Sequence, residues 1–241
     1  MENTDHTRRR VLAAGAALAA SVTGARAETV VGALPWEPGA PSAPRPLDTS
    51  RWHFFTTEER EMVEAMVDRL IPPDPQTPGG KDAGCAVYID GQLAGDFGSA
   101  AGLYMTGPFE KGLPQQGPQG QPTPAELYRT ALKSLDLYCR GRFAGEGFAV
   151  LAAADQDMVL IGLERGTIAL AGTDGKEFFE LLLQNTMEGF FADPLYGGNR
   201  DMVGWKMIGF PGARYDYRAY VAQHNRALDL EPVAIFSRPL P

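Results

Sequence analysis

Few side chains in this sequence could do chemistry. Of three histidines, His6 precedes the first apolar run, and His53 and His224 lie far apart in the remainder. Neither has a second His, Cys or acidic residue at metal-ligand spacing, so the pattern of a zinc or non-haem iron site is missing. The two cysteines, Cys85 and Cys139, fall short of the four thiolates an iron–sulfur cluster commonly takes, and no C-x-x-C-H marks a c-type haem. The glycine signatures of dinucleotide folds and P-loops and the nucleophile elbow G-x-S-x-G are also absent from the sequence. Glu58/Glu59 and Asp155/Asp157 could pair as general acid and base. Each pair falls in the first turn of a helix read from the apolar pattern, where the helix dipole accounts for it. Glu188 closes an apolar helix before Gly189 and reads as a structural carboxylate, buried and paired with Arg200 or Lys206.

What remains is a surface. Residues 188–212, EGFFADPLYGGNRDMVGWKMIGFPG, set aromatics, glycines and prolines side by side without His, Cys or Ser. Asp193-Pro194 starts a turn, and Gly197-Gly198-Asn199 tolerate positive φ. Trp205 and Phe210 then bring large apolar area. The segment is either a lid on the chain's own core or a partner-facing surface anchored by Tyr196 and Trp205. Its composition points to docking rather than chemistry, since it holds nothing that could act as a nucleophile or ligate a metal.

Helices must position these groups. Thr56 or Thr57 caps a helix with Met62, Val63, Met66, Val67 and Leu70 at helical spacing, ended by Pro72-Pro73. A shorter one covers Gly84–Leu93. Thr123 and Pro124 open the clearest helix, 124–142, with Leu127, Tyr128, Ala131, Leu132, Leu135 and Tyr138 apolar. Further helices are read at 154–165, at 176–191 around Phe179, Leu183, Met187 and Phe190, and at 216–226. Strand alternation and internal repeats are absent. The fold class is mainly α: a single irregular helical domain, 51–241, with long Gly/Pro-rich loops and an extended, aperiodic N-terminal arm at 28–50. Glycine (28) and proline (19) supply those loops, which cluster at 35–46, 72–80 and 107–124.

Residues 1–27 read as a cleaved twin-arginine signal. Arg8 and Arg9 precede an apolar run too short for the ~30 Å hydrocarbon core of a bilayer, and Ala25-Arg26-Ala27 sets cleavage between Ala27 and Glu28. The tag carries four Arg against Glu2 and Asp5, which leaves 18 basic and 28 acidic residues, net −10. That balance opposes nucleic-acid binding. No later apolar run reaches 18 residues, so membrane association is expected only through partners. For a chain bound for an oxidising compartment, Cys85 and Cys139 form either one disulfide, closing a 54-residue loop and contributing about 4 kcal/mol, or two small buried apolar residues.

The chain resembles the small subunit (subunit 3, or γ) of gluconate 2-dehydrogenase-type complexes. The resemblance rests on Phe178-Phe179, Thr186-Met187-Glu188-Gly189-Phe190-Phe191, Asp193-Pro194, Tyr196-Gly197-Gly198-Asn199, Trp205 and Ile208-Gly209-Phe210-Pro211-Gly212. Leu70-Ile71-Pro72, Tyr88-Ile89-Asp90 with Leu93, and the signal support it. Gly107-Pro108-Phe109, Gln115-Gln116-Gly117 and Thr123–Arg129 look most like the gluconate branch, beside related fructose, glucose and sorbitol systems. The resemblance implies a non-catalytic subunit without a cofactor of its own, in a periplasmic complex held at the inner membrane. A large flavoprotein of the glucose–methanol–choline type carries FAD and oxidises D-gluconate to 2-dehydro-D-gluconate. A multihaem cytochrome c passes the electrons to ubiquinone. The small subunit is expected to support maturation of the flavoprotein and to carry it through the twin-arginine route, or to act as an export chaperone that then dissociates. Contact with the partner is expected from the arm and from loops 107–123 and 193–212, with Asp193, Tyr196, Gly197, Gly198, Asn199, Trp205 and Phe210 as the candidate interface.

Overall fold

The apolar stripes fold into helices that enclose one core. The computed structural model describes residues 51–235 apart from 111, 114–115, 117–119 and 215, all within one compact unit, Glu37–Arg238. The signal (Arg8, Arg9, Ala27, Glu28) and the arm at 28–50 lie outside the described residues, as do Gln115 and Gly117.

Helix α1, Thr57–Leu70, opens with a capping box: the Thr56 hydroxyl accepts the Glu59 N–H while the Glu59 carboxylate accepts the Thr56 N–H. Met62, Val63, Met66 and Val67 face inward. Helix α2, Cys85–Leu93, follows Gly84 at φ +84°. Helix α3, Pro124–Arg142, has the second capping box, Thr123 with Glu126, and buries Leu127, Tyr128, Ala131, Leu132, Leu135 and Cys139. Tyr138, read as part of that stripe, is half-buried. Helix α4 is Ala153–Glu164 and helix α5 Gly175–Phe191, the latter capped by Asp174. Among the described residues there is no strand, only two isolated bridges. The chain is mainly α.

Helix α5 is central, packing against α1, α2, α3 and α4. Its inward face differs from the sequence reading. Phe178, Phe179, Leu182, Asn185, Thr186, Gly189 and Phe190 are buried, whereas Leu183 and Met187 are exposed. The polar row Lys176, Glu177, Glu180, Gln184 and Glu188 marks the outward face, and Leu183 and Met187 lie beside it on the same side of the helix. The Thr186 hydroxyl donates to the Leu182 carbonyl and the Asn185 amide donates to the Tyr128 hydroxyl, while the buried Asn185 Oδ1 has no hydrogen-bond partner among the described residues. Rings of Phe55, Tyr128 and Phe178 link the entry segment to α3 and α5, with centroids 6.2 and 5.3 Å apart.

Two further expectations change. Residues 216–226 are not a helix; they hold one 3-10 turn, Arg218–Tyr220. None of the described residues there is buried, and a short helix without tertiary packing is not stable in water. Conversely, the segment read as loop contains helix α6, Val203–Ile208, which packs on α5. It builds a small second core from Met202, Trp205 and Ala234.

Asp90 ties the entry segment to this frame. Its Oδ1 accepts the N–H groups of Phe54 and Phe55 (2.9 and 2.8 Å) and its Oδ2 that of His53 (2.7 Å). The Arg129 guanidinium donates to the Phe54 carbonyl and to Glu59, and lies 4.0 Å from the Phe54 ring centroid.

Candidate functional site

The segment 192–212 closes over the C-terminal end of α5 through its backbone. The Asp193 carboxylate is buried: Oδ1 accepts the Leu195 N–H, and Oδ2 reaches across to the Ile235 N–H at 2.7 Å. Gly197, at φ +99°, lies against Val87, and Gly198 rides so close to α5 that a Cβ there would sit 2.0 Å from the Gly189 carbonyl. Asn199 is fully buried at φ +48°; its amide donates to the Ala192 carbonyl while its Oδ1 accepts the Gly204 N–H, both at 2.8 Å. Trp205 is 5% exposed, donates Nε1–H to the Phe191 carbonyl, and meets Phe210 edge to face at 5.3 Å.

The seven candidate interface residues therefore divide. Asp193, Gly197, Gly198, Asn199 and Trp205 build the lid from inside, and only Tyr196 (53%) and Phe210 (44%) are exposed. The Trp205 indole is buried and covers the small core with Met202 and Ala234. Exposed Leu195, Met207 and Ile208 stand in the same segment, and their contribution was not visible in the sequence. The lid reading holds for the buried residues, and Tyr196 and Phe210 are left on the surface.

Beside the lid lies a cleft of about 460 Å³. Tyr88 and Gln92 line it from α2, Glu188 and Phe191 from α5, and Asp193 and Tyr196 from the turn. The seat of Tyr88 is made by Gly189: a Cβ at that position would lie 3.0–3.1 Å from the ring. Burial pushes the Tyr88 phenol up, aided by the nearby Glu188 and Tyr196. Glu188 is not buried and does not pair with Arg200 or Lys206. It is exposed, and its Oε1 accepts the Gln184 side-chain amide at 2.8 Å. One helical turn from its partner, Gln184 reaches it along the surface, whereas Arg200 is held in the turn below by its own N–H on the Ala83 carbonyl.

The remaining groups have structural roles. Glu59 closes a capping box, and Asp157 holds Arg69 through two 2.7 Å bonds between α4 and α1. That bond, chiefly, holds the Asp157 carboxyl below the usual range. Cys85 and Cys139 are two separate buried thiols in the structure; burial raises them to about 12 and about 11. Among the described residues no group of three or more His, Cys, Asp or Glu could hold a metal ion, and no helix is long and apolar enough to cross a membrane.

A family model described as gluconate 2-dehydrogenase subunit 3 matches residues 57–212. The chain belongs to the gluconate 2-dehydrogenase subunit 3 family. No curated protein and no solved structure matches it. The matched range runs from the first residue of α1 to the end of the lid, so it contains every residue lining the cleft. Membership makes the chain a subunit of a multi-subunit gluconate dehydrogenase-type complex. Residues 213–235 lie beyond the match, yet Ala234 completes the second core and Ile235 satisfies Asp193.

Proposed function

We propose that this member of the gluconate 2-dehydrogenase subunit 3 family is the non-catalytic small subunit of a periplasmic complex that oxidises D-gluconate to 2-dehydro-D-gluconate. Its partners are a glucose–methanol–choline type flavoprotein carrying FAD and a multihaem cytochrome c that delivers electrons to ubiquinone and holds the complex at the inner membrane. The chain supports maturation of the flavoprotein and carries it through the twin-arginine route with the signal at Arg8 and Arg9. The observation that carries this reading is the family match over 57–212. The exposed side chains Tyr196, Met207, Ile208 and Phe210 on a lid fixed from within support it, since a rigid scaffold with protruding apolar groups suits docking. Cell fractionation tests the carrier role: with Arg8 and Arg9 both replaced by Lys, the flavoprotein should accumulate in the cytoplasm. Normal export of the flavoprotein by that variant would refute it.

A further inference from the structure

The cleft beside the lid has a chemical character that closing the core does not require. Three aromatic residues, Tyr88, Phe191 and Tyr196, line it together with Glu188. The other carboxylate, Asp193, has both oxygens bonded to backbone N–H groups, from Leu195 and Ile235. Glu188 takes one bond from a neutral amide, and no described Lys or Arg forms an ion pair with it. The larger cleft between α1 and α3, about 530 Å³, is different. It is lined by five carboxylates, Glu58, Glu59, Glu61, Asp136 and Glu146, but also by its own cations, Lys133 and Arg140, and Arg140 already pairs with Asp136. An aromatic-walled cleft with one outward carboxylate and no cation attracts positive charge through both the ring faces and the carboxylate.

We propose that this cleft receives an arginine side chain presented by the large subunit, its guanidinium lying against the tyrosine rings and donating to Glu188. The inference rests on the docking role given above. Guanidinium fits better than ammonium, because its planar fork can donate to a carboxylate while its face stacks on a ring, and it is weakly hydrated. The walls are preorganised: Gly189 seats the Tyr88 ring and Gly197 presses the turn onto α2, so binding orders little.

Two measurements test this, one of which needs no partner. Titrating the isotope-labelled chain with L-argininamide should shift the amide signals of Tyr88, Gly189, Tyr196 and Gly197. Citrullinamide, which keeps the α-amino group but carries a neutral urea in place of the guanidinium, should not shift them, and Glu188→Gln should abolish the response. Equal responses to the two compounds, or an undiminished response in Glu188→Gln, would overturn the proposal. In the complex, Glu188→Gln should weaken binding of the large subunit about 10-fold or more, the scale of a hydrogen bond to a charged group. Glu180→Gln, an exposed site on the same helix, should leave binding unchanged. Wild-type affinity in Glu188→Gln would also overturn the proposal, provided its melting temperature matches wild type. Failure of the wild-type chain to bind any large subunit would instead remove the docking role, and the argininamide titration would still decide the chemistry of the cleft.

Discussion

Asp90 is a buried carboxylate whose ligands are the chain's own backbone. Its three N–H donors come from 35 to 37 residues away, so no local pattern could reveal the role, although the sequence singled out Tyr88-Ile89-Asp90. Asp90→Ala leaves those donors without acceptors, and a cost of about 3 kcal/mol or more is expected, read by denaturant unfolding. Replacement without loss of stability would show that the entry segment is held elsewhere. The cysteines give a second expectation. Their raised pKa values mean the native state holds these protons more tightly than the unfolded chain does. Stability from Cys85 is therefore full below its ordinary value of 9.0 and falls as pH rises toward about 12. Cys85→Ala should flatten that alkaline decline. Thiol reagent at pH 8 should find two thiols in the unfolded chain and none in the native one. Rapid native labelling would contradict their burial. Trp205 shows the limit of composition at this scale. A Trp in a Gly-rich segment could face either way, and part of its cover, Ala234, comes from a distant stretch of chain.

Helix starts were legible because caps are local. Thr56 and Thr123, each three residues before a Glu, fix α1 and α3 within one turn of chain. Phase and packing were not. Leu183 and Met187 share helical spacing with Phe179 and Phe190 but lie beside the polar row Lys176, Glu180, Gln184 and Glu188, and the face that packs holds Leu182, Asn185 and Gly189. The apolar residues of 216–226 suggested a helix that has nothing to pack against. Helix α6 was hidden because Asn199, Asp201 and Met202 adopt positive φ immediately before it, a conformation that side chains other than glycine rarely favour. Glycines separate these effects cleanly. Gly91 in α2 and Gly141 in α3 face open space, so Ala at either position should stabilise by about 0.5–1 kcal/mol through helix propensity. Gly198→Ala should instead destabilise by about 1–3 kcal/mol, because its Cβ would collide with the α5 backbone. Thermal melts of the three variants check both directions. Matching shifts would mean the lid does not press on α5.

The described residues form a helical core wearing a separately cored lid. Asp193, Asn199 and the Trp205 indole bond the lid to the frame, and Tyr196, Met207, Ile208 and Phe210 are left outside. The fold class and the family were legible in the sequence, through caps, stripes and the 186–212 motif; the division of that motif into inner and outer residues was not, since it depends on how the lid closes. The central claim is that the chain acts by binding a flavoprotein. Co-expression of the full chain with a glucose–methanol–choline type flavoprotein, followed by size-exclusion chromatography with light scattering, flavin absorbance and a gluconate oxidation assay, tests it most directly. An equimolar complex with flavin in the large subunit is expected, with gluconate oxidation by the complex but not by this chain alone. A chain that elutes alone beside a mature, active flavoprotein, or that oxidises gluconate by itself, would contradict it.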